Sequence, residues 1–118
     1  MPKTLTAADL TQFHGGDTLY HTPFHRPVRY TEGARHVFQA GEAWWLLDVI
    51  VSYQRHPKVR GEGFQVWTLT VTDARGVVVC EDGNGRRLVT QDLPYTDFPL
   101  DEVTLWVDNH VVLLPSEY

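Results

Sequence analysis

AWWLLDVIVSYQ, residues 43–54, is the stretch on which the reading of the fold turns. Laid out at about 100° per residue, Trp44, Leu46, Leu47, Ile50, Val51 and Tyr53 cover roughly half of a helix circumference. Asp48, Ser52 and Arg55 share a narrow polar strip, and Trp45 and Val49 stand at its far margin. An apolar arc that wide has to be covered by other elements, so this is a core helix pressed on a sheet. It contains no reactive set of side chains.

Upstream, Thr31 is placed to cap a helix that runs to Ala40 with Ala34, Val37 and Phe38 on one face. Gly41 then stands where a left-handed residue after the helix is wanted. Residues 18–30 contain Pro23 and Pro27 and are expected to be extended, as an edge strand or ordered loop. Near the start, Thr6 with Asp9 three residues later forms a capping signal, Leu5 and Leu10 a staple, for a short helix over residues 7–13.

Downstream, residues 56–63 are polar, carry Pro57, Gly61 and Gly63, and predict a mobile loop. The period then changes to two. Residues 64–72 alternate Trp67, Leu69 and Val71 against Phe64, Val66, Thr68 and Thr70. Turn chemistry at residues 73–76 and 83–85 separates strands at 77–82 and 86–93. A longer connection, 94–102, leads to strands at 103–107 and 110–114, paired across Asp108 and Asn109. Trp67 and Trp106 are expected on the sheet face that meets the helices. The expected fold is one α+β domain over residues 1–118: an antiparallel meander of about five strands with two or three helices on one face.

At 118 residues, with 42% apolar and 21% charged residues, the chain is long enough to bury one core. Its single cysteine, Cys80, excludes an internal disulfide and a multi-cysteine zinc site. The first ten residues hold no long apolar run, and no stretch approaches the ~20 residues that span a bilayer. A cytoplasmic protein without membrane attachment is the expectation. The net charge of −5, from 15 acidic and 10 basic residues, argues against direct nucleic-acid binding. Acidic residues gather in the second half, Glu81, Asp82, Asp97, Asp101 and Glu102 among them, as a face for a basic partner or as solubilising charge.

His21 and His25 have the H-x3-H spacing of a helical zinc pair. Pro23 lies between them, and an extended backbone would hold them about 13 Å apart, so a metal site there would need His14, His36 or Asp17 brought in by folding. Residues 81–85 resemble a calcium loop superficially but lack its ligand run, and a hairpin turn explains them. Cys80 stands among valines in a strand and reads as a small buried hydrophobe. Asp48, inside an otherwise apolar helix, is expected to take Arg55, Ser52 or an indole N–H as partner. No phosphate loop, dinucleotide fingerprint or nucleophile elbow is present, and no cofactor is expected.

Several signposts, Tyr30-Thr31-Glu32-Gly33-Ala34, Ala43-Trp44-Trp45-Leu46-Leu47-Asp48, Phe64-Gln65-Val66-Trp67, Cys80-Glu81-Asp82-Gly83-Asn84-Gly85, Thr96-Asp97-Phe98-Pro99-Leu100 and the tail Leu113-Leu114-Pro115-Ser116-Glu117-Tyr118, run nearly the length of the chain. As a set they resemble an uncharacterised family of small bacterial proteins often carried by phages and integrated mobile elements. The resemblance implies a cytoplasmic accessory protein and carries over no catalytic residue. Its context favours a non-enzymatic module that binds a host protein or nucleoprotein complex, as an inhibitor of the anti-CRISPR type, by surface occupation. Trp45, Glu81, Asp82, Asp97, Asp101 and Glu102 are the residues expected to make that contact. The alternatives are a small metal-dependent or hydrolytic enzyme built on His14, His21, His25 and Asp17, and a homodimer joined through an open sheet face or an edge strand.

Overall fold

The computed structural model describes residues 4–16, 18–22 and 27–118. Asp17, His25 and Pro23 lie outside them. Thr31 caps α1 (Glu32–Ala40): its backbone is extended and its hydroxyl accepts from the Ala34 N–H at 3.2 Å. The left-handed residue after α1 is Glu42 (φ 50) and not Gly41, whose φ is −84. Gly41 is needed for space. A Cβ there would stand 2.7 Å from the Val37 carbonyl oxygen and 3.1 Å from the side chains of Leu5 and Phe98. The chain turns at once into α2 (Trp44–Tyr53). The short N-terminal element is a 3-10 turn over Ala7–Thr11, in which the Asp9 carboxylate accepts the Thr6 N–H at 3.1 Å.

Among the described residues, seven strands form one mixed sheet: β1 (Leu19–His21), β2 (Arg29–Thr31), β3 (Phe64–Thr72), β4 (Arg75–Glu81), β5 (Arg87–Leu93), β6 (Glu102–Asp108) and β7 (Val111–Leu113). Their order is β1-β2-β7-β6-β3-β4-β5. The α+β class agrees with the sequence reading, and the simple meander of about five strands is only roughly matched. β6 does not continue outward from β5 but crosses back to pair with β3, and β2 joins β7 in parallel. The composition of the strands supplies a reason. β6 carries Val103, Leu105 and Val107 toward the helices and gains most from a central place, whereas β5, with Arg87, Thr90, Gln91 and Asp92, tolerates the edge.

The core lies between one sheet face and the two helices. Trp67, Leu69, Val78, Cys80, Val103, Leu105, Val107 and Val112 meet Ala34, Val37, Phe38, Leu46, Leu47 and Ile50, all buried. The apolar arc of α2 is narrower than its sequence suggests. Trp44 is 41% exposed and leans on Tyr30 and Phe38 at ring separations of 5.9 and 5.7 Å. Trp106 is the second departure. It pairs with Val66 and so projects from the face opposite Trp67, where it packs edge-on with Phe64 and Tyr118 at 5.3 and 5.2 Å. The left-handed pair in the last hairpin is Asn109–His110, one residue later than Asp108–Asn109, because Asp108 still pairs with Val111.

Residues 56–63, expected as a mobile loop, are wound into consecutive turns. The N–H groups of Val59 and Arg60 both donate to the His56 carbonyl at 2.9 Å, and Val59 is 0% exposed. A buried amide pair fastens the end of α2 to β3. Gln54 and Gln65 exchange hydrogen bonds at 2.9 and 3.0 Å. Gln54 Nε2 also donates to the Ile50 carbonyl, Gln65 Nε2 to the Glu62 carbonyl, and the Trp67 indole donates to Gln65 Oε1. All four amide N–H bonds are used, so this polar insertion costs the core little.

Candidate functional site

Trp45 and Val49 lie one helical turn apart on the margin of α2, and β5 is an edge strand of the sheet. Past Leu93, the last residue of β5, the chain is held by the buried Thr96. Its N–H donates to the Ala74 carbonyl at 2.8 Å and its hydroxyl accepts the Phe98 N–H at 3.2 Å. With Thr96 inward, its neighbours Tyr95 and Asp97 face out, Tyr95 to 73% exposure. Trp45, Val49, Leu93, Tyr95, Thr96 and Asp97 enclose an open groove of about 420 Å³. That volume is within the usual range for ligand pockets, roughly 300–1,000 Å³. Two aromatic rings, two aliphatic side chains, one threonine and one carboxylate line it.

The expected site residues separate in space. Trp45 and Asp97 share the groove. Asp101 and Glu102 lie at the same end of the sheet, with Asp73 and Asp92, beside Arg75. Glu81 and Asp82 lie toward the opposite end. Glu81 pairs with Val66 and Glu102 with Thr70, which places them about 13 Å apart along the strand direction alone. Asp82 is also occupied: it accepts the N–H groups of Asn84 and Arg86 at 2.8 and 3.1 Å and faces the Arg86 guanidinium at 3.3 Å. Those bonds, the Asn84 N–H first, hold its carboxyl below the usual range.

His21 is exposed on β1 opposite Arg29. His25 and Asp17 are outside the described residues. His14 lines a separate cavity of about 290 Å³ with Glu32 and Glu117. Glu117 is taken up there by the start of α1, accepting from the Thr31 hydroxyl at 2.6 Å, the Gly33 N–H at 3.1 Å and the Leu114 N–H at 2.9 Å. Among the described residues, no three His, Cys, Asp or Glu side chains converge as a metal set. Burial raises the Cys80 thiol to about 12, so it is protonated and inert at neutral pH. Asp48 faces solvent and does not need the partner its position in the sequence suggested.

The sequence reading missed one pairing. His36 Nε2 meets the Asp9 carboxylate at 3.0 Å with its ring against Phe13, and this contact, with the Thr6 N–H, lowers the Asp9 carboxyl. The residues are far apart in sequence and no motif links them. Tyr95 and Thr96, beside Asp97, carry no sequence signal, because they lie in a connection with no regular period.

The fold is a two-layer α+β domain with an open groove beside an edge strand. The chain belongs to a family of unknown function, DUF6876, whose model matches residues 4–118. Neither the curated proteins nor the solved structures yield a match. Among the described residues, no helix is long and apolar enough to cross a membrane.

Proposed function

We propose that this chain is a protein-binding module whose groove at Trp45 seats a basic side chain of a partner. The supporting observation is the convergence of the Trp45 and Tyr95 rings with Asp97 in one cavity. A lysine or arginine entering there gains contact with two aromatic faces. Proteins that handle nucleic acid carry such basic surfaces. The proposal therefore extends to a host nucleoprotein or nuclease complex, blocked by surface occupation, with the chain as a mobile-element-encoded inhibitor of the anti-CRISPR type in the cytoplasm.

The test is affinity capture from the native host with the tagged chain and its Trp45→Ala and Asp97→Asn variants. One complex held by the unaltered chain and lost by both variants, at unchanged circular dichroism, is the expected result. Recovery of the same proteins by all three, or of none, refutes it. A second reading is self-association through the uncovered sheet face, where Phe64, Trp106 and the 73% exposed Tyr118 cluster. Sedimentation of the unaltered chain against Trp106→Ser separates the two.

A further inference from the structure

The two edges of the sheet are unequal. β1 is three residues long, whereas β5 has seven and pairs on one side only, with β4. Among the described residues, no backbone N–H or C=O of residues 87–93 bonds outside the sheet. A long edge of that kind is a template for another strand.

An irregularity in β5 arranges its charges. Arg87 pairs with Glu81, Thr90 with Val79 and Asp92 with Val77, so all three project from the sheet face away from the helices. In a regular strand, residues an odd number apart stand on opposite faces. The register shift between Cys80 and Glu81 leaves Leu88 without a partner on β4 and brings Arg87 onto the face of Asp92. Glu81 and Val77 are each two residues from Val79. Arg87 and Asp92 therefore flank Thr90 at equal distances, about 7 Å to either side along the strand. All three are exposed, and among the described residues neither Arg87 nor Asp92 is in an ion pair. Arg75 shares a cavity of about 440 Å³ with Asp92 without pairing with it. On the helix side the half-buried, uncharged Val89 and Gln91 flank the same centre.

This pattern is complementary to itself. A half-turn about an axis normal to the sheet through Thr90 makes β5 antiparallel to its own copy and exchanges the positions of Arg87 and Asp92. We infer that two copies of this chain associate edge to edge, β5 against β5, with Thr90 facing its counterpart and Arg87 of each copy opposite Asp92 of the other. The two seven-stranded sheets join into one. Opposed side chains in such a pair have Cβ atoms about 5 Å apart, within reach of an ion pair, and the symmetry supplies two. Arg87 then stands between Glu81 of its own chain and Asp92 of the second copy. Leu88 is the extra residue against both neighbouring strands, so one bulge serves both pairings. An unrelated strand would have to carry the matching order of charges, whereas a second copy carries it by symmetry. The inference is independent of the Trp45 groove, because Arg87 and Asp92 project from the other sheet face.

Sedimentation equilibrium of the full chain, from micromolar to millimolar concentration, tests it with the unaltered protein, Arg87→Asp and Asp92→Arg. The unaltered chain should approach twice its 13.5 kDa. Each variant sets two pairs of like charge across the axis and should raise the dissociation constant at least about tenfold. In an equimolar mixture of the two variants both pairs are again of opposite sign. The mixture should associate within about threefold of the unaltered chain, a rescue that misfolded variants could not give. Trp106→Ser, with β3 and β4 between it and the edge, should leave the association unchanged. A monomer throughout, variants as tight as the unaltered chain, or a mixture no tighter than its components overturns the inference. Association lost in Trp106→Ser and kept in both charge variants overturns it too, in favour of the sheet face. Host capture through Trp45 is read separately, so the groove reading and this one can fail independently.

Discussion

Replacing Gln65 with leucine tests whether the buried amide pair holds α2 on the sheet. The change strands three side-chain groups, one Gln54 N–H, the Gln54 carbonyl oxygen and the Trp67 indole N–H, and takes the side-chain donor from the partly buried Glu62 carbonyl. Gln54, Gln65 and Trp67 are all buried. Each orphaned group costs ~1–3 kcal/mol, and the added apolar burial returns part of it, so a net loss of about 3 kcal/mol is expected. Gln54→Leu is milder, about 1.5 kcal/mol, because Gln65 keeps its bonds to Trp67 and the Glu62 carbonyl. In the double variant only the indole is stranded inside the pair, and the cost is again about 1.5 kcal/mol, well below the sum of the singles. Urea unfolding followed by tryptophan fluorescence and circular dichroism measures all three. For a domain whose total stability is roughly 5–15 kcal/mol, the Gln65→Leu loss is a visible fraction. A Gln65→Leu cost under about 1 kcal/mol, or additive costs in the double variant, would falsify the reasoning.

Gly33→Ala places a Cβ onto the Glu117 carboxylate and should expel it from the start of α1, at a cost of about 2 kcal/mol in urea unfolding. In a Glu117→Ala background the same change should cost nothing further. Asp82 has a folded-state carboxyl pKa below its ordinary value of 3.8, so its contribution is complete above that value and is lost as pH falls through the lower folded one. The stability gap between the unaltered chain and Asp82→Asn should therefore be constant near neutrality and close only below pH 3.8; a gap that widens in acid contradicts this sign. Cys80 should resist alkylation at pH 8 in the native chain and react once urea unfolds it. Rapid native labelling would mean the β4 core opens far more readily than its burial implies.

Much of the local structure was legible because its causes are local. Thr31 announces its helix by offering an acceptor to an N–H three residues on, and residues 64–72 announce β3 by alternation, with both bounds matched. The turn expected over residues 73–76 is tighter than that: Asp73 and Ala74 hold the positive φ, and Arg75 and Gly76 already belong to β4. The candidate groove was half legible. Trp45 stood out at the margin of an apolar arc and Asp97 among the later acids, but Tyr95 was hidden in a connection with no regular period.

What remained depended on which distant segments meet. Strand pairing is decided by the competition of whole strands for cover under two helices, so the crossing of β6 to β3 and the parallel seat of β2 on β7 leave no local mark. The face on which Trp106 projects follows from its register with Val66, which a shift of one residue would invert. Gln54 and Gln65 look like ordinary polar residues until their mutual burial makes them partners, and Asp9 finds His36 only when α1 is docked. Caps, turns and periods are properties of neighbouring residues and are written in the chain. Register, strand order and the convergence of Trp45, Tyr95 and Asp97 on one groove are properties of packing, and exist only once the core has closed.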